Sequence, residues 1–319
     1  MQPTSGEMLG IYETMLLIRT TELKMVELFK KGEIEGHMLP CLGQEAIPAS
    51  LASVYTDMDY LVTGHRGGGH YVARGCDYNA LWAELYGRVD GVTKGRGGQI
   101  HLMDMTKKAM TGNAVVGQQW GIATGAGFVA RKRGVMVFAV GGEGSTNRGV
   151  FHESLNMAAV QKLPILYVIE NNNRQMWNDC TETTAGEHIA TRALAYGMAG
   201  ASVDGNDVLA IQDKAAEFAR KIREGSGPCL LECITAKWTD SVSNLRNLPE
   251  NVEAMKKPDF DPVLRFETKL RQDGVLTESM NRQIKDHVQQ KLQGALSFAL
   301  ASPVPDRYDG IDQVYSQPV

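Results

Sequence analysis

Three uninterrupted apolar runs, VMVFAV (135–140), PILYVIE (164–170) and PCLLECITA (228–236), constrain the fold more than any other feature of this 319-residue chain. None alternates between apolar and polar positions, as a strand with one wet face does. Segments of helical character around 148–162 and 206–223 separate them. Continuous apolar strands joined through helices make a parallel sheet covered on both faces. The predicted fold is therefore α/β: a doubly wound, mostly parallel sheet flanked by helices.

The flanks read differently. Thr4 to Glu7 fits a capping box, and apolar residues at Met8, Ile11, Tyr12, Met15, Leu16 and Leu23 follow it. A helical N-terminal extension is expected over 1–34, then a glycine-rich stretch without strands from about 35 to 75. The segment 77–88 reads as a helix, and 113–134 as a loop continuing into a small-residue helix that packs closely on the sheet. Residues 238–262 are polar and proline-bearing, the pattern of a long and often functional loop. The segment 276–302 is a late helix with Met280, Ile284, Val288 and Leu292 in one stripe, a core or subunit contact within a helical C-terminal extension over 262–319. The whole chain, 1–319, is expected to form a single domain.

Composition narrows the function classes. A net charge of −4 provides no electrostatic footprint for nucleic acid or an anionic membrane. No apolar run approaches the roughly 20 residues of a membrane helix, and the N-terminus MQPTSGEML lacks the pattern of a secretory signal. Five scattered cysteines read as reduced core thiols of a cytoplasmic protein.

Two strand ends carry the chemistry. VMVFAV runs into GGEG (141–144), and PILYVIE into Asn171–Asn172, with one helix between. A right-handed crossover sets the carboxyl ends of such strands side by side, where ligands of open α/β sheets bind. Separately, a glycine turn or an Asn-Asn pair is ordinary punctuation. Together they aim the Glu143 carboxylate and the Asn172 amide oxygen at one point. Oxygen ligands of this kind suit Mg²⁺ or Ca²⁺, and backbone N–H groups around Ser145–Asn147 suit a phosphate. A metal-bridged diphosphate is the favoured occupant. A nicotinamide dinucleotide is the rival, with Glu170 as its ribose acid, but Asn147 stands where that fingerprint needs its third glycine.

On these residues the chain resembles the alpha subunit of the thiamine-diphosphate-dependent first component of 2-oxo-acid and acetoin dehydrogenase complexes. GEG and NN match that family's cofactor motif, normally GDG and NN. LPCLGQEA (39–46), KGRGGQIHL (94–102), GNAVVG (112–117) and VDGND (203–207) match further blocks, and the likeness runs from about 8 to about 300. The resemblance implies the thiamine-diphosphate-binding fold and a cofactor pair of thiamine diphosphate and Mg²⁺. Glu143, Asn172 and the main-chain oxygen of Arg174 would hold the metal. Gly142, Gly144 and Ser145 would contact the diphosphate, and Arg66 would pair with it. His65 would contact cofactor, and Ala114 and Val116 would lie along the aminopyrimidine. His101 matches a family histidine of open role, with a hydrogen-bonding core histidine as the alternative. The partners implied are a beta subunit, in an α2β2 assembly, a lipoyl-bearing carrier and a small carbonyl substrate.

The departures gather in the active site. Leu39 and Gly68 stand at positions where family members keep histidines, and Glu143 is one methylene longer than the usual Asp. The family's histidine-rich loop is here AKWTDSVSNLRN (236–247), with Ser241 aligned to the histidine that approaches the reacting carbon. His65 and Ser241 are the candidate catalytic residues. His37, His65 or His70 are candidates to replace the missing imidazoles, while for His37 and His70 a solvated loop position is an equal alternative. The leading expectation is cleavage of a C–C bond next to a carbonyl, with transfer to a lipoyl-type acceptor. Two alternatives stand beside it. One is ketol transfer from a sugar phosphate, using Thr239, Ser241, Ser243, Asn244 and Arg246. The other is a structural subunit without chemistry.

Overall fold

A computed structural model of the chain describes residues 3–110, 112–175, 178–238 and 260–306. Among these, β1 (Tyr60–Val62), β2 (Val137–Gly142), β3 (Ile165–Asn171), β6 (Ala199–Asp204) and β7 (Cys229–Ile234) form a parallel sheet. Its order is β1-β2-β3-β7-β6. The three apolar runs supply the central strands β2, β3 and β7. The sheet gains two strands that were not expected. β1 is only three residues long, inside the glycine-rich stretch, and β6 (AGASVD) is a small-residue edge strand, so neither carries an apolar run.

The central strands are apolar throughout because both their faces are covered. Phe138, Val140, Leu166, Val168 and Leu231 enter one core. Val137, Ala139, Ile165, Tyr167 and Leu230 enter the other. Each of the Val, Leu, Ile and Phe side chains, fully buried, contributes roughly 1.5–3 kcal/mol. The first core is shared with α1 (Ser5–Lys30), α2 (Ala46–Ala52), α3 (Gly68–Ala73) and α4 (Tyr78–Leu85). The second lies under α5 (Gln118–Arg133) and α6 (Gly149–Val160). The small residues of α5 allow the expected close approach: a Cβ on Gly127 would stand 2.7 Å from Ile165 Cδ1. A short helix, α7 (Cys180–Thr183), follows an antiparallel pair, β4 (Arg174–Gln175) and β5 (Asn178–Asp179).

The chain reverses direction across the sheet at β3. It runs β1, β2, β3 in neighbouring positions, then leaves for the edge strand β6 and returns through α8 (Val208–Arg223) to β7, beside β3. α6 crosses on one face and α8 on the other, as their core partners show. A crevice opens beyond the carboxyl ends of strands at such a reversal.

The N-terminal capping box is present, with both Thr4 and Glu7 bonded reciprocally. The buried face of α1 differs from the expected stripe. Leu23 is 51% exposed, and Glu22 takes the inward position between Ile18 and Met25. The C-terminal helices α9 (Pro262–Gln272) and α10 (Glu278–Ala301) pack into the first core through Phe266, Leu270, Val288 and Leu292. Met280 and Ile284 pack partly buried against it, so the late stripe is core. All five cysteines are buried and unpaired. Among the described residues no helix is long and apolar enough to cross a membrane.

Candidate cofactor site

The first wall of the crevice is the turn that leaves β2. Gly141 is required by close packing: a Cβ there would stand 2.7 Å from Cζ2 of the buried Trp120 ring. The chain then winds into a 3₁₀ turn over Glu143–Asn147. Ser145 Oγ donates to the Gly142 carbonyl at 2.6 Å and accepts from Gln119 Nε2 at 3.3 Å. Trp120 Nε1 donates to the Ser145 carbonyl, and Thr146 Oγ1 to the Glu143 carbonyl. The turn is thus fixed from α5 as well as from within.

The second wall is the turn that leaves β3. Gly142 and Glu170 are register partners, so the two strand ends lie side by side as the crossover argument requires. Asn171 Nδ2 donates to Glu232 Oε1 on β7, and Asn171 Oδ1 accepts from the Asn173 N–H. Asn173 has φ of 58°, a left-handed conformation that Asn tolerates better than most residues. That bend brings the N–H groups of Asn172 and Arg174 back onto the Glu143 carboxylate, at 3.4 and 3.1 Å. The Asn172 side-chain oxygen is buried and meets no hydrogen-bond donor among the described residues.

Burial pushes the Glu143 carboxyl up to about 7 against the pull of backbone N–H groups and of the Lys237 and Arg66 charges. His65 is pushed down to about 4, first by burial and then by the same two cations. Arg66 donates from Nη1 to the Pro40 carbonyl at 2.5 Å.

One cavity of about 320 Å³ joins these groups, a size within the range of small-molecule sites. His65, Arg66, Val116, Gly142, Glu143, Gly144, Ser145, Asn172 and Arg174 all line it. Ala114 is half-buried in the loop before α5 and stands outside this wall. Ser241 lies outside the described residues, as do Thr239, Ser243, Asn244 and Arg246.

Several expectations are corrected. His70 is not a solvated loop residue: it is 2% exposed on α3, and its Nε2 lies 2.9 Å from Glu170 Oε1. That bond engages the carboxylate that the dinucleotide reading needed for a ribose. His101 is exposed, which removes the core-histidine alternative, and His37 is exposed too. The sequence reading also missed Gln119, Gln175 and Lys237 as cavity-lining groups. Lys237 sits just beyond the apolar run of β7, where a strand-end position was the available signal.

The family model described as dehydrogenase E1 component matches residues 12–307. This chain belongs to the dehydrogenase E1 component family. Relatives agree over nearly the whole chain. The alpha subunit of acetoin:2,6-dichlorophenolindophenol oxidoreductase of Bacillus subtilis (strain 168) is 33% identical over 318 residues, 98% of this chain and 94% of that protein. The pyruvate dehydrogenase E1 component subunit alpha of Rhizobium meliloti (strain 1021) is 34% identical over 302 residues, 93% of this chain and 87% of that protein. As an E1 component of the alpha type, the chain is a subunit of a thiamine-diphosphate-dependent oxidoreductase, in line with the expected fold and enzyme class. The ketol-transfer and structural-subunit alternatives gain no support from these matches.

Proposed function

We propose that this E1 alpha chain pairs with a beta subunit in an α2β2 enzyme and holds thiamine diphosphate through Mg²⁺. The reaction is cleavage of a C–C bond next to a carbonyl, in a 2-oxo acid, acetoin or a related donor. The acyl or two-carbon unit passes to a lipoyl-type acceptor on a carrier domain. Relatives named for acetoin and for pyruvate support that range of donors.

The observation that carries the reading is the Asn172 amide oxygen, buried without a donor among the described residues at the turn that also cradles the Glu143 carboxylate. An orphaned buried oxygen costs roughly 1–3 kcal/mol. A hard cation between it and Glu143 removes that cost and adds a positive charge directly on the buried carboxylate. With the main-chain oxygen of Arg174, the donor set is all oxygen, which fits Mg²⁺ completed by phosphate oxygens. Gly142, Gly144 and Ser145 would contact the diphosphate, and Arg66 would pair with it.

When bound, thiamine diphosphate supplies the electron sink that lets the bond beside the carbonyl break. The chain's residues position and shield. Val116, and Ala114 from the loop beside it, would lie along the aminopyrimidine. His65, its pKa lowered to about 4 by burial and by the Arg66 and Lys237 charges, would be a hydrogen-bonding group at the reacting end, and Ser241 is the second candidate there.

Calorimetric titration of thiamine diphosphate into the α/β complex, with and without Mg²⁺, tests the reading. Saturable binding that depends on the metal is expected, and its absence would overturn it. A donor panel with an artificial electron acceptor follows. Turnover of a ketose phosphate but of no 2-oxo acid or acyloin would replace the proposed reaction.

A further inference from the structure

Beyond the Glu143 carboxylate that would hold the metal, a diphosphate site gains nothing from a second carboxylate in its wall, yet Glu170 is there. It is the register partner of Gly142, two residues before Asn172, and lines the same cavity as Gly144 and Arg66. In a poorly solvated wall, an uncompensated carboxylate repels an anion strongly. Glu170 is held in place by a hydrogen bond. His70 Nε2 lies 2.9 Å from its Oε1, and the two residues are 2% and 4% exposed. The other ring nitrogen, Nδ1, is buried and meets no partner among the described residues. The imidazole thus leaves one nitrogen unsatisfied while the other holds this single carboxylate. A histidine buried only to fill space would be replaced by an apolar side chain without that cost.

We propose that His70 is a positioning residue for the cofactor's diphosphate: it occupies the Glu170 carboxylate, so that Arg66 and the turn N–H groups meet the anion without opposition. The inference rests on the thiamine-diphosphate reading of the cavity. The role is geometric: with its proton on Nε2 the imidazole donates to Glu170 Oε1 and keeps that carboxylate from turning toward the anion. The interaction joins a helix of the first core to the strand that leads into Asn172, so it bears on cofactor affinity before any chemistry.

The test is a double-mutant cycle on the α/β complex. Thiamine diphosphate affinity is read by calorimetry at saturating Mg²⁺, with thermal melting of the cofactor-free complex alongside. His70→Leu is expected to weaken binding at least about tenfold, within the coupling range of contacting residues. Adding Glu170→Gln to that variant should bring affinity back to within about threefold of the parent, since the repelling charge is gone. His70→Gln should retain most of the affinity, because its amide also donates. A merely structural imidazole would instead give losses that add. Parent-like affinity in His70→Leu, or no recovery in the double variant, overturns the inference. Should His70→Leu fail to fold, Glu170→Gln alone decides. Affinity at least equal to the parent supports the inference, and a tenfold loss overturns it. A parent complex that binds no cofactor with Mg²⁺ overturns the cofactor reading itself, and this inference with it.

Discussion

Glu232 on β7 accepts a hydrogen bond from Asn171 Nδ2 at 2.7 Å, which fixes the residue directly before Asn172. The same fully buried carboxylate accepts from Ser202 Oγ at 2.7 Å and from the Ala190 N–H at 3.0 Å. Glu232→Ala strands three donors and leaves the β3 turn without its anchor. The expected loss is roughly 3 kcal/mol or more, read as a lower midpoint in chemical denaturation. Cofactor affinity should fall as well. A variant with parent stability would show that the network carries no load at this turn.

Asn172→Ala separates binding from folding. The amide oxygen it removes makes no hydrogen bond among the described residues, so the cofactor-free chain should melt no lower than the parent, and up to several degrees higher as the cost of the orphaned oxygen is relieved. Mg²⁺-dependent retention of thiamine diphosphate should disappear in the same calorimetric assay. Normal retention would remove Asn172 from the metal site.

Glu143→Asp restores the shorter acid usual in the resembling family and should keep Mg²⁺-dependent binding, within about tenfold. The cost is local: a carboxylate one methylene shorter loosens its bonds to the Asn172 and Arg174 N–H groups. Glu143→Ala removes the only acidic group of the proposed oxygen set and should abolish metal-dependent binding. Equal affinities for both variants would exclude Glu143 as a ligand.

Gly141→Ala tests the packing behind the turn. The added methyl meets the edge of the buried Trp120 ring at 2.7 and 2.9 Å, and that ring is wedged against Phe151 and Tyr167. Overpacking of this kind costs roughly 1–3 kcal/mol. Unfolding monitored by tryptophan fluorescence would report it, and an unchanged midpoint would mean that the ring yields freely.

What was legible in the sequence was local or periodic. Continuous apolar runs gave β2, β3 and β7, and turn residues at their ends gave Glu143 and Asn172. β1 and β6 escaped because a three-residue strand and an edge of Ala, Gly and Ser carry no hydrophobic period. His70 was misread because three glycines before it suggest a loop, whereas they open α3 and turn the imidazole toward Glu170. Glu232 interrupts an apolar run, and the groups that satisfy it come from 171, 190 and 202. No single stretch of chain records such a meeting.

Glu22 shows the same failure of periodicity and yields a pH prediction. It sits on the buried face of α1 where Leu23 was expected, 2% exposed; its Oε1 accepts from the Cys41 thiol at 3.3 Å, and its Oε2 meets no donor among the described residues. Burial pushes its carboxyl up from 4.5 to about 7, aided by Glu45 and opposed by the Cys41 bond and the Arg66 charge. A carboxyl whose folded-state pKa is raised favours the folded state while protonated. Its contribution is fully present below about 4.5 and is lost as pH rises through about 7. The shift corresponds to a difference on the order of 3 kcal/mol between pH 4.5 and pH 8. Glu22→Gln keeps an acceptor for the thiol without the charge. It should therefore melt above the parent at pH 8, with the gap closing by pH 5, in paired thermal scans. A gap that does not change with pH would show that Glu22 does not titrate over this range.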